Sequence, residues 1–207
     1  MLVVSGASKR DLRHAARARR RELAGRLSEA EQAAAAAAIA EAVLRLVPDR
    51  ARVAVYESLP QEPPTGRLVE ALLAAGHEVL VPVVLDDFSL EWRYAVPGTA
   101  GDEATVRRPS RGGLEPGPAD RAGWLGPQAL ATCDLVVTPG LTVDPHGNRL
   151  GQGGGCYDRA LLHRDPATPV VTLLHEGEQS DSDLPVDAHD LPVDGYVTTT
   201  GRVVRLR

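Results

Sequence analysis

Residues 134–162 constrain this chain more than any other stretch. The run DLVVTPGLTVDPHGNRLGQGGGCYDRALL carries a buried-type strand into a loop with glycine at 151, 153, 154 and 155, and then into an apolar helical pattern. A β-type run, a glycine-dense turn and a helix make a βα unit, which needs a parallel sheet to bury it. The glycines can take positive φ, so successive amides can converge on an anion while the following helix offers its positive end. Arg149 stands just before the loop as a charge-assisted donor. Two familiar phosphate fingerprints do not fit. The loop lacks the Gly-Lys-Ser/Thr ending of a P-loop, and Cys156 stands where a dinucleotide fingerprint has its last glycine. A turn that holds no ligand is the competing reading.

The rest of the chain supplies the sheet. Ser8 with Asp11 and Ser28 with Glu31 each place a hydroxyl three residues before a carboxylate, which predicts helices over 9–25 and 29–46. The alanine run 33–38 belongs to the second helix, since alanine is the best helix former and Ile39, Val43, Leu44 and Val47 give it an apolar stripe. A β-rich run at Val53, Val55 and Tyr56, a helix from Thr65 through Leu68, Leu72 and Leu73 to Gly76, and a strand over 79–85 form a βαβ unit. Further strands are expected at 90–96, 134–138, 170–174, 195–199 and 203–206, with 97–127 as a Pro- and Gly-rich surface excursion. The expected fold is α/β: a three-layer α/β/α sandwich with a mostly parallel central sheet and two N-terminal helices, in one domain over residues 1–207.

Composition narrows the function. With 43% hydrophobic residues and two cysteines, Cys133 and Cys156, the chain needs no disulfide framework, and a reducing cytoplasmic setting is expected. No apolar run reaches the length of a membrane span. Eight Lys or Arg fall within the first 27 residues against Asp11 and Glu22, although the net charge is −5. That local basic helix suits a polyphosphate, a nucleic acid or a solvated face. Aromatics at 3% leave few stacking platforms, which argues against a nucleic-acid role.

The segment RLGQGGGCYDR, preceded by TPGLTVDPHGN, resembles the signature of 5-formyltetrahydrofolate cyclo-ligases, also called methenyltetrahydrofolate synthetases, whose pattern runs roughly R-L-G-x-G-x-G-Y-Y-D. Lys9-Arg10-Asp11-Leu12-Arg13 is similar to the family's N-terminal K-x-x-x-R element, and 53–65 to its substrate strand and loop. Gly113-Leu114-Glu115-Pro116 and the stretch from His189-Asp190 through Val193-Asp194 resemble two further family motifs in the same order. One departure stands out: Cys156 replaces the first tyrosine of the family's Tyr-Tyr pair.

The resemblance implies an ATP-dependent ligase that closes 5-formyltetrahydrofolate to 5,10-methenyltetrahydrofolate with Mg2+, releasing ADP and phosphate. It assigns ATP to Lys9, Arg13, Arg149, Leu150, Gly151, Gln152, Gly153, Gly154, Gly155, Cys156 and Tyr157, with Lys9 and Arg149 as the catalytic cations. It assigns magnesium to Asp158 and Asp190, a sparse set of the kind hard cations on phosphates use. Folate falls to Glu57, Glu62, Trp92 and Tyr157, with Tyr94 as a further aromatic; a carboxylate suits the adjacent N–H donors of a pterin. Each residue also has a structural reading: Asp158 in a helix's first turn, Asp190 and Asp144 in turns, Trp92 in the core, and Arg17, Arg19, Arg20 and Arg21 in solvent. The expected partners are ATP and a reduced folate, with no membrane and no nucleic acid, and the expected state is a monomer, with a dimer as the alternative. Rival functions are an ATP-dependent enzyme on another amide or carboxylate, and a non-catalytic nucleotide or RNA binder.

Overall fold

The computed structural model describes residues 7–97 and 122–207. The motif at 113–116 and most of the 97–127 excursion lie outside the described residues. Two helices open the fold, α1 (Lys9–Gly25) and α2 (Glu29–Leu44), and side-chain caps set where they start. Ser8 Oγ accepts from the Asp11 amide, while Ser28 and Glu31 form a reciprocal capping box. Ile39, Ala40, Ala42 and Val43 of α2 are buried, so the alanine-rich helix is a packing surface whose small side chains lie against α3 (Gly66–Ala74). Thr65 precedes α3 as expected but does not cap it. Its buried Oγ accepts instead from the Ser58 amide at 3.0 Å, and Ser58 Oγ accepts from the Thr65 amide at 3.2 Å. That exchange pins the segment after the first strand.

The strands are β1 (Arg52–Val55), β2 (Glu78–Val84), β3 (Leu90–Tyr94), β4 (Leu135–Pro139), β5 (Thr142–Val143), β6 (Arg149–Leu150), β7 (Val170–Leu174), β8 (Gly195–Thr198) and β9 (Val203–Arg205). Seven form one sheet in the order β3-β2-β1-β4-β7-β8-β9, and β5 with β6 makes a separate hairpin. Strands β2, β1, β4, β7 and β8 run parallel, with β3 and β9 antiparallel at the edges. Central strands read as unbroken apolar runs because both faces are covered: Val53, Ala54, Val55, Val136, Val137, Leu173 and Leu174 are all buried. Among the described residues, no helix is long and apolar enough to cross a membrane.

The direction of winding reverses at β1. From β1 the chain passes through α3 to β2 on one side; β4 then takes the other side of β1, and the short helix α4 (Cys156–Ala160) lies on the path from β4 to β7. Right-handed crossovers in opposite directions put α3 and α4 on opposite faces of the sheet, which gives three layers. The same reversal opens a crevice outside the C-terminal ends of β1 and β4, where open α/β sheets hold their ligands.

Candidate active site

That crevice opens into a cavity of about 260 Å³. Its walls come from separated segments: Lys9 and Arg13 of α1; Tyr56, Glu57, Leu59 and Glu62 after β1; Pro82, Val84 and Leu90 from β2 and β3; Pro139 and Gly140 after β4; the run 149–158; and Asp187, His189 and Asp190. Every residue assigned to ATP, metal or folate from the sequence therefore lines one hollow, with the exception of Trp92 and of Tyr94, which is exposed at the end of β3. Trp92 has 0% exposure and belongs to the core, where it stands on β3 opposite Pro82 of β2. The expectation that it meets the folate is corrected.

The cations of α1 at positions 9, 13, 17 and 20 share one helix face. Arg13 Nε donates to Gly151 O at 3.1 Å. Arg17 holds Gln152 through Oε1 at 2.9 Å and through the backbone oxygen at 2.5 Å. Arg20 is 3% exposed and pairs with Glu178 through two 2.7 Å bonds, while its Nη2 also donates to Gly140 O. The solvent reading of Arg17 and Arg20 does not hold: these side chains dock α1 across the strand ends. Their spacing of four and three residues was the available signal.

In the glycine loop only Gly153 (φ 107°) and Gly155 (φ 66°) use the left-handed region. Gly154 serves by its small size, since a β-carbon there would stand 3.2 Å from both Cys156 Sγ and Phe88 Cδ1. Carbonyls of Gly151, Gln152 and Gly154 accept from Arg13, Arg17 and Arg159. Among the described residues no backbone carbonyl accepts from the amides of residues 151–156. A loop whose carbonyls are held by guanidinium groups and whose amides lack backbone acceptors among the described residues can receive an anion. The helix after it is short, five residues followed by a 3-10 turn at Leu161–His163, because Pro166 forbids continuation.

Arg149 is anchored on the cavity wall. Nη1 donates to Pro139 O at 3.0 Å, Nη2 to Asp158 Oδ1 at 2.7 Å, and the guanidinium lies 5.8 Å from the Tyr157 ring centroid. Arg149 Nε and the Tyr157 hydroxyl are buried with no hydrogen-bond partner among the described residues, which leaves both able to meet a ligand. Glu62 accepts from the Leu59 amide at 3.0 Å, and burial pushes its carboxyl above the ordinary carboxylate range. Glu57 accepts from Arg93 at 3.0 Å. Burial also pushes the Cys156 thiol up, opposite to what a nucleophile needs.

Lys9 closes the far end of the cavity. Its ammonium donates to Asp187 Oδ2 at 2.6 Å and to Asp190 Oδ2; burial opposes its charge, but these two carboxylates outweigh burial and hold its pKa above the ordinary lysine value. Ligand atoms of Asp187, His189 and Asp190 lie within 4.8 Å of one another. Asp158 is not in that group; it faces the same cavity from the other wall, paired with Arg149. Carboxylate oxygens beside a phosphate-type loop fit a hard divalent cation, which takes one or two protein carboxylates and completes its shell with water and phosphate. Asp187 carried no signal in the sequence.

The model of the 5-formyltetrahydrofolate cyclo-ligase family matches residues 5–199. The chain is 32% identical to the 5-formyltetrahydrofolate cyclo-ligase of Mycolicibacterium smegmatis, over 75% of this chain and 77% of that one. It is also 32% identical to the Escherichia coli K12 protein of the same name, over 70% of this chain and 76% of that one. Among solved structures, the Aquifex aeolicus 5,10-methenyltetrahydrofolate synthetase superimposes with a TM-score of 0.66 at 27% identity, covering 96% of this chain and 93% of that chain.

Proposed function

This chain belongs to the 5-formyltetrahydrofolate cyclo-ligase family, and on that premise we propose that it cyclises 5-formyltetrahydrofolate to 5,10-methenyltetrahydrofolate at the expense of ATP, in the cavity between α1 and the glycine loop. The observation that carries the placement is the glycine loop, whose amides meet no backbone acceptor among the described residues, lining one hollow with Lys9, Arg13 and the half-buried Glu62.

An N-formyl group is a poor electrophile because the nitrogen lone pair is delocalised into the carbonyl. The formyl oxygen therefore attacks the γ-phosphorus of ATP, ADP leaves, and an imino-phosphate forms at N5. The N10 amine then adds to the activated carbon and gives up its proton to solvent, and the C–O bond breaks to release phosphate and leave the methenyl bridge. This chemistry asks for positioning and charge neutralisation more than for a covalent protein nucleophile. The amides of residues 151–156 cradle phosphate oxygens, Lys9 and Arg13 add positive charge from α1, and Arg149 supplies it from the opposite wall. Glu62 accepts the paired N–H donors of the pterin, and the Tyr157 hydroxyl is a further polar contact beside it. Asp190 with Asp187 or Asp158 would hold magnesium, which would neutralise phosphate charge; Lys9, paired with Asp187 and Asp190, brings its ammonium to the same place.

Purified protein mixed with 5-formyltetrahydrofolate, magnesium and ATP is expected to give the methenyl chromophore and ADP in equal amounts. Folded protein that yields neither refutes the assignment.

A further inference from the structure

The turn between β2 and β3 holds a residue that its own backbone disfavours. Phe88 is the single phenylalanine of the chain, has φ 63° and is 46% exposed. Phe88 N donates to Leu85 O at 2.9 Å and Leu85 N to Ser89 O at 3.0 Å, which makes a three-residue hairpin loop whose last position is left-handed. Glycine or asparagine ordinarily fills that position, since a β-carbon is strained there. A bulky aromatic ring in solvent on a strained backbone gains the fold nothing locally.

What the ring touches lies elsewhere in the chain. A β-carbon at Gly154 would stand 3.2 Å from Phe88 Cδ1 and 3.7 Å from Cγ, so the ring covers that glycine closely. Arg159 ties the two segments together a second time: Nη2 donates to Phe88 O at 2.7 Å and to Gly154 O at 3.1 Å. Ring and guanidinium thus clamp the hairpin onto the middle of the loop. That loop has four glycines among residues 151–155 and so few side chains with which to hold itself, and glycine loses more freedom on ordering than any other residue.

We infer that Phe88 is a positioning residue for the nucleotide: its ring holds the glycine loop in the phosphate-receiving form before ATP arrives. This rests on the loop being the phosphate site. The strain at residue 88 is then the cost of a preorganised loop, and affinity for ATP, not folding, is what the ring improves.

The test sets stability against affinity in the full chain. Phe88→Gly relieves the backbone strain, so its Tm in the absence of ligand is expected to equal or exceed that of the wild type. KM for ATP is expected to rise about tenfold, with KM for 5-formyltetrahydrofolate and kcat changed less than about twofold, and Phe88→Tyr is expected to restore KM for ATP. Wild-type KM for ATP in Phe88→Gly overturns the inference, and so does a parallel rise in both KM values with a fall in Tm, which marks a merely structural ring. Gly154→Ala separates this from the parent reading. If it raises KM for ATP while Phe88→Gly does not, only the role of Phe88 fails; if neither changes KM for ATP, the loop is not the phosphate site and both fail.

Discussion

Replacing Arg20 with alanine tests the docking of α1. The Arg20 side chain is 4% and the Glu178 side chain 1% exposed, joined by two 2.7 Å bonds with Gly140 O as a third acceptor. Removing one partner leaves a buried carboxylate uncompensated, and such losses cost about 3 to 5 kcal/mol. Two features of the site favour the upper part of that range: Glu178 also accepts from the His175 amide, so it cannot swing out to water, and Gly140 O loses a donor as well. In a chain of this size each kcal/mol lowers Tm by about 2 to 4 °C, so Arg20→Ala is expected to melt on the order of 10 °C below the wild type. Urea unfolding followed by circular dichroism measures the free energy directly. The double variant Arg20→Met with Glu178→Leu removes both charges at similar volume and is expected to recover most of the loss. A single-variant cost below about 1 kcal/mol, or a double variant less stable than either single one, refutes the reasoning.

Three further outcomes follow from the site. Glu62 has a folded pKa raised by burial, so it contributes stability below its unfolded value that is lost as pH rises through the folded one. Glu62→Gln is therefore expected to make the unliganded protein more stable at pH 7, to raise KM for 5-formyltetrahydrofolate at least about tenfold, and to remove the acid-side fall of kcat/KM, which pH-resolved melting and kinetics will read. Gly147→Ala places a β-carbon 2.3 Å from Val193 O at φ 82° and is expected to cost about 2 kcal/mol or more by urea titration. Cys156→Ser is expected to keep kcat within about threefold, because the thiol is pushed toward its neutral form; loss of turnover by orders of magnitude would revive the nucleophile.

Much of this was legible in the chain where local chemistry decides the outcome. The Ser8 and Ser28 caps fixed two helix starts because the hydroxyl and its amide are neighbours in sequence. Asp144 read as a turn former, and its carboxylate does accept from the amides of His146 and Asn148, although it reaches on to Leu184 as well. Thr65 shows the limit. Its hydroxyl stood correctly for a cap, yet Ser58, seven residues away, competed for it and won. Two-residue strands such as β5 and β6 carry too little pattern to be seen. Trp92 failed as a site residue because alternation along a strand says that a side chain faces one layer without saying whether that layer is core or cavity. Arg17 and Arg20 read as solvated charges because their partners, Gln152 and Glu178, lie more than 130 residues away.

Because the residues that wall the hollow at the sheet's reversal run along the chain from Lys9 to Asp190, no short contiguous fragment can assemble it. A nascent chain leaving the ribosome completes β1, β4 and the glycine loop long before the stretch at 187–190 emerges, and until then the lysine of α1 has no carboxylate to meet. Nucleotide turnover is consequently expected to be silent for every product that stops before Asp190, even one in which β1, β2, β4 and β7 have already paired.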